Sequence, residues 1–74
     1  MSNKLSTIAK NIKKLRKEKG ISQDKLSKLA NISYNTIIKI ESGDIQSPGI
    51  DTAQKIAQAF GVKIDDLISE KYKK

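Results

Sequence analysis

Apolar residues recur at intervals of three and four along nearly the whole of this 74-residue chain, and no stretch alternates with a period of two. That spacing gathers the apolar side chains of a segment on one face of an α-helix and leaves no material for a sheet. The chain is therefore expected to be all-α, with five helices. Leu5, Ile8, Ile12 and Leu15, with Ala9 beside them, mark a first helix from Leu5 to Lys19, stopped by Gly20. Ser22 offers an N-cap to a second helix of two turns with the stripe Leu26, Leu29 and Ala30. Asp24 suits the positive end of its dipole, and Asn31 its close. Ser33 caps a third helix, with Ile32 placed to staple onto Ile37. Pro48, with Ser47 before it as cap, opens a fourth helix whose stripe is Ile50, Ala53, Ile56, Ala57 and Phe60 and whose stop is Gly61. "VKIDDLI" makes a short fifth helix with Ile64, Leu67 and Ile68 inward. Residues 1–68 are expected to form one domain, and 69–74 a basic tail that frays.

A chain of this length buries only one small core, so stability is expected to lean on close packing or on a partner. It contains neither cysteine nor histidine. That removes disulfides, thiolate and imidazole metal sites and any nucleophile–histidine pair, so no enzyme, metal or cofactor is expected. No apolar run reaches the length of a membrane span, and the N-terminus lacks the pattern of a signal peptide, which points to the cytoplasm. No small-molecule effector domain is expected.

The net charge of +7 is unevenly placed: residues 1–39 hold ten Lys/Arg against Glu18 and Asp24, whereas residues 40–74 hold five Lys against six acids. A basic field of this kind points to a polyanion, nucleic acid ahead of an anionic membrane, although a lysine-rich surface kept for solubility has the same charge. Pattern discriminates better. In "SYNTIIKIESG", residues 33 to 43, Ile37 and Ile40 define the inner side of the helix. Asn35 and Ser42 then stand opposite, with Lys39 and Ile38 flanking and Tyr34 and Glu41 at the margins. Such a face is compatible with plain solvated surface. It also suits the major groove, where Asn pairs with adenine, Lys donates to guanine O6 and N7, and an aliphatic group meets the thymine methyl.

The stretches "IKKLRKEKGISQDKLSKLANISYNTIIKIESG" and "SPGIDTAQKIAQAFGVKIDDLI" together resemble the lambda-repressor-like, Cro-type helix-turn-helix domains of the XRE family. The resemblance covers residues 5 to 68. It includes the Ser-Gln start of the second helix, the Ile-x-x-Ile-Glu-x-Gly end of the third and the Gly-Val-x-x-Asp-x-Leu close. It implies a five-helix lambda-repressor-like domain in which helices 2 and 3 form the helix-turn-helix, helix 3 being the recognition helix. By that resemblance Tyr34, Asn35, Thr36, Ile38 and Lys39 contact bases, while Gln23, Ser33, Ser42 and Gly43 contact phosphates. Arg16 and Glu41 match a structural ion pair joining helix 1 to helix 3. The chain departs from the family pattern at Lys25, where a capping Glu is usual, and at Gly49 and Lys63, where Ser is frequent. The loop beginning at Asp44 lacks the usual basic residues.

The expected function is sequence-specific recognition of double-stranded DNA by a small transcriptional regulator, a repressor, in the cytoplasm at the nucleoid. The alternative from another class is an antitoxin-like adaptor or DNA-tethering subunit whose main role is protein association. One short recognition helix reads few base pairs, so a homodimer on a two-fold symmetric operator is expected. The near-neutral C-terminal side would supply the contact through Ile45, Val62, Ile64, Ile68 and Tyr72.

Overall fold

The structure, a computed structural model, describes residues 7–69. Five helices follow one another: α1 (Thr7–Lys19), α2 (Gln23–Ala30), α3 (Tyr34–Ser42), α4 (Ile50–Phe60) and α5 (Ile64–Ile68), with no strand among the described residues. α1 packs on α3 and α5, α2 on α3 and α4, and α4 on α5, so the helices close around one core. Every helix sends at least one fully buried side chain into it: Ile12, Leu26, Ile37 and Ile40, Ile56, and Leu67. Leu5 and Tyr72 lie outside the described residues, as does the tail from residue 70 onward.

The turn between α2 and α3 consists of Asn31, Ile32 and Ser33 alone, and each has a distinct task. Ser22 caps the start of α2 by accepting from the Lys25 N–H at 3.0 Å. Asn31 ends it in the left-handed conformation at φ 59°, with its N–H on the Lys28 carbonyl and the Ile32 N–H on the Ser27 carbonyl at 3.0 Å. Ile32 packs against the core, and Ser33 caps α3 by accepting from the Thr36 N–H at 3.1 Å. The angle between the two helices is thereby held by hydrogen bonds at both ends of a minimal connection.

Several stripe positions differ from expectation. Leu29 is 50% exposed, because α2 is rolled toward Ser27, whose buried hydroxyl donates to the Asp24 carbonyl at 2.7 Å and so carries no desolvation penalty. Ser47 and Pro48 precede α4 instead of opening it. Its N-cap is Gly49, without a side-chain cap, and Ile50 at its first position projects past the core, 66% exposed. In α5 only Leu67 is fully buried; Ile64 is half-buried and Ile68 is 54% exposed. Lys63 cannot cap α5 with its side chain, but its N–H donates to the Asp66 carboxylate at 3.2 Å, the reciprocal half of a capping box.

A residue that sequence reasoning missed ties the two ends of the domain together. Asn11 is 4% exposed, and its Nδ2 donates to the carbonyls of Leu67 at 2.6 Å and Ser69 at 2.7 Å. Those are carbonyls at the C-terminus of α5, which have no partner within a helix this short. The available signal was a polar residue three after Ile8 and four before Leu15, on the apolar stripe itself.

Candidate nucleic-acid interface

α3 presents one side to the core and one to solvent. Ile37, Ile40 and Glu41 are buried; Tyr34, Asn35, Lys39 and Ser42 are exposed; Thr36 and Ile38 are half-buried. The Thr36 hydroxyl lies 2.9 Å from that of the capping Ser33, so these two occupy each other at the first turn. Asn35 and Lys39 have no side-chain partner among the described residues. Both therefore offer unspent hydrogen-bonding capacity on one helix side, with the half-buried Ile38 flanking Asn35 on the side away from Lys39.

Beneath that side lies a cluster built on Glu41. The Arg16 guanidinium donates through Nε to Glu41 Oε2 at 2.7 Å and through Nη2 to Oε1 at 3.0 Å, a bidentate pair. Its Nη1 donates to the Ile21 carbonyl at 3.1 Å. Gln23 Nε2 donates to Glu41 Oε1 at 3.1 Å. Helical periodicity placed Glu41 at the margin of the outer face, whereas its side chain is only 3% exposed. It can be dry because three N–H groups, two from Arg16 and one from Gln23, satisfy it. The hydrogen bond Arg16 donates to Glu41 raises the Arg16 pKa, burial opposes this and the charge of Glu41 adds to it, so Arg16 stays cationic at every pH the fold meets. Arg16 thus points inward, its donors committed to Glu41 and the α1–α2 turn.

Gln23 is the first residue of α2, where the leading N–H groups have no intrahelical acceptor and the dipole is positive. Its bond to Glu41 fixes the side chain beside those groups. The other end of α3 is arranged differently. Gly43, at φ 93°, gives its N–H to the Ile40 carbonyl at 3.3 Å, and the Ile45 N–H goes to the Lys39 carbonyl at 3.0 Å. Ser42 Oγ donates to the Lys39 carbonyl and accepts only a long 3.4 Å bond from the Asp44 N–H. The loosely held groups at this turn are therefore the Ser42 hydroxyl and the Asp44 N–H, rather than the N–H of Gly43.

Ile45, Val62 and Ile64 are half-buried against the core. Ile68 and Ile50 instead border a mostly apolar groove of about 310 Å³, lined also by Ile8, Pro48, Ala53 and Ile64 with Gln46 and Ser47. Among the described residues no three His, Cys, Asp or Glu side chains stand together to hold a metal ion, and no helix is long and apolar enough to cross a membrane.

A helix-turn-helix family model matches residues 12–67. The chain is 29% identical over 70 residues to the HTH-type transcriptional regulator PuuR of Escherichia coli, spanning 95% of this chain and 37% of PuuR. It is 34% identical over 59 residues to the cryptic phage CTXphi transcriptional repressor RstR of Vibrio cholerae, spanning 80% of this chain and 52% of RstR. With the uncharacterized HTH-type transcriptional regulator YgzD of Bacillus subtilis it shares 38% identity over 56 residues, 76% of this chain and 83% of YgzD. The chain thus spans about half or less of the first two relatives. No solved structure matches it significantly.

Proposed function

The chain belongs to the helix-turn-helix family, of the XRE type, and from that premise we propose that it is a transcriptional regulator, a repressor, that binds double-stranded DNA by laying α3 in the major groove. The observation that carries this reading is the pairing of two sites held by one buried residue. Asn35 and Lys39 stand free on the outer side of α3, while Glu41 beneath them holds Gln23 at the open N-terminus of α2. Asn35 and Lys39 read base edges, with Ile38 against thymine methyls and Tyr34 and Thr36 at the rim. Gln23, Ser33 and the turn at Ser42 and Gly43, through the Ser42 hydroxyl and the Asp44 N–H, contact phosphates and set the register. With no arginine on this face, the half-site leans toward A/T. No catalytic step or cofactor is involved, residues 1–68 form the binding unit, and the protein acts at the nucleoid. Relatives named as transcriptional regulators support this reading over a pure adaptor.

Selection from a random duplex pool at fixed salt tests it: a symmetric enriched site is expected, and a flat result would count against sequence-specific regulation. On the selected site, Asn35→Ala is expected to cost about 1–3 kcal/mol and to relax preference at one base pair. Gln23→Ala is expected to weaken specific and random duplexes alike. Equal losses on both kinds of DNA for both variants would remove the assignment of roles.

The protein acts as a homodimer on that site. Its contact is the apolar groove bordered by Ile50 and Ile68, with Ile45, Val62 and Ile64 behind and Tyr72 beyond the described residues. Two exposed isoleucines beside one groove, on the half of the chain with near-neutral charge, suit a self-complementary surface. Ile68→Asp is expected to abolish two-to-one binding on a full site, measured by sedimentation of the complex, while leaving the melting temperature within a few degrees. Tight one-to-one binding, indifferent to that substitution and to half-site spacing, would rule the dimer out.

A further inference from the structure

The side of α1 turned away from the core carries four lysines. Ile8, Ile12 and Leu15 define the buried side of this helix. Arg16 lies toward α3, which it reaches through Glu41, and Asn11 lies toward α5, whose carbonyls it holds. The arc that remains, opposite the core, holds Lys10, Lys13, Lys14 and Lys17, the second half-buried and the others exposed. Glu18, the only acid in α1, falls on the Asn11 side, outside that arc. None of the four lysines has an ion-pair or hydrogen-bond partner for its ammonium group among the described residues. Each also has two of the others three or four residues away, an arrangement that weakens an isolated helix by like-charge repulsion and that a bound polyanion relieves.

The chemistry of this arc fits a phosphate backbone. It contains no apolar side chain to enter a bilayer and no aromatic or arginine residue to centre a protein interface. Lysine ammonium groups act as point charges toward phosphate, and replacing condensed counterions favours association. The arc does not belong to the interface on α3. Arg16 marks the direction of α3 on α1, and Lys10, Lys14 and Lys17 stand about 100° or more round the helix from it. The domain measures 33 × 23 × 22 Å. Duplexes held on separate faces of a domain this wide are screened from each other over about 8 Å in physiological salt.

We infer that the Lys10, Lys13, Lys14 and Lys17 face of α1 binds the backbone of a second DNA duplex, so that a copy seated on its site through α3 also holds another DNA segment. This rests on the DNA-binding reading of α3. The test places a duplex carrying the full selected site on beads, saturates it with protein, and measures capture of a fluorescent duplex of unrelated sequence. Wild type is expected to capture it, with a salt dependence of slope about −3 to −4 on logarithmic axes. The variant K10Q/K13Q/K14Q/K17Q, whose helix propensities are nearly unchanged, is expected to lose capture at least tenfold. Its affinity for the bead-bound site should change less than threefold and its circular dichroism should be unaltered. Site binding without capture by wild type overturns the proposal alone, as does capture that survives in the variant. A parallel loss of site affinity would put the lysines on the same duplex and overturn it too. Binding of anionic vesicles by wild type but not the variant, with no duplex captured, would replace DNA by a membrane. Failure of wild type to bind the selected site at all would remove the reading of α3, and this proposal with it.

Discussion

Arg16→Met is expected to destabilise the fold by about 3–5 kcal/mol, a fall of more than about 12 °C in melting temperature for a domain of this size. The loss would be a large share of the total stability of a small domain. Arg16 supplies two of the three hydrogen bonds to Glu41. Without it a carboxylate that is 3% exposed keeps only the Gln23 amide. Glu41→Gln is expected to cost less, because the Arg16 side chain is already 18% exposed and can turn its charge to water. The double substitution of Arg16→Met with Glu41→Leu should be milder than Arg16→Met alone, since it removes both charges and leaves neither stranded. Thermal melts of the three variants decide the matter. A melting temperature for Arg16→Met within about 2 °C of wild type would show that water reaches the pair.

Asn11→Asp is expected to cost a similar amount, about 3–5 kcal/mol at neutral pH, although it changes one amide nitrogen to oxygen. The nitrogen it removes donates to two carbonyls, at 2.6 and 2.7 Å, and a carboxylate would turn its charge on both. The dependence on pH has a definite sign. A carboxyl group held against carbonyl oxygens binds its proton more tightly in the folded chain than in the unfolded one, so its ionisation opposes folding. The deficit is full above its folded-state pKa and shrinks as pH falls through that value, because the protonated acid again has a hydrogen to donate. Asn11→Ala, which only removes donors, is expected to cost about 1–3 kcal/mol with no such pH dependence. Urea melts at pH 7.5 and pH 4.5 test this. A constant deficit for Asn11→Asp across that interval would mean that its carboxyl reaches solvent.

The parts of the fold that the sequence makes legible are those governed by local rules. Ser22, Asn31, Ser33, Gly43 and Gly61 each end or begin a helix through their own backbone or side chain, so reading them needs no knowledge of what packs where. Leu29 and Ile68 were misplaced because periodicity gives a helix a face but leaves its roll undetermined by some tens of degrees, and Ile50 because a first-position residue can project past the core. That roll is set by the neighbours. α2 turns toward Ser27 because the Ser27 hydroxyl is satisfied internally, a detail that spacing does not carry. Glu41 was legible only through the family pattern, since an acid beside two isoleucines looks like the edge of a polar face until Arg16, 25 residues earlier, is brought against it. For Asn35 and Lys39 the outward placement follows from periodicity, and the structure adds that nothing among the described residues competes for them.

The hydrogen bond from Gln23 to Glu41 also makes the domain a calliper. One jaw is the N-terminus of α2 and the other is α3, and the spacing between them is set by a nearly buried carboxylate. On the proposed reading of α3, exchanging Asn35 or Lys39 would alter which letters are read while the distance from backbone to base edge stayed the same. A chain built this way would acquire a new target by changing only its outermost residues.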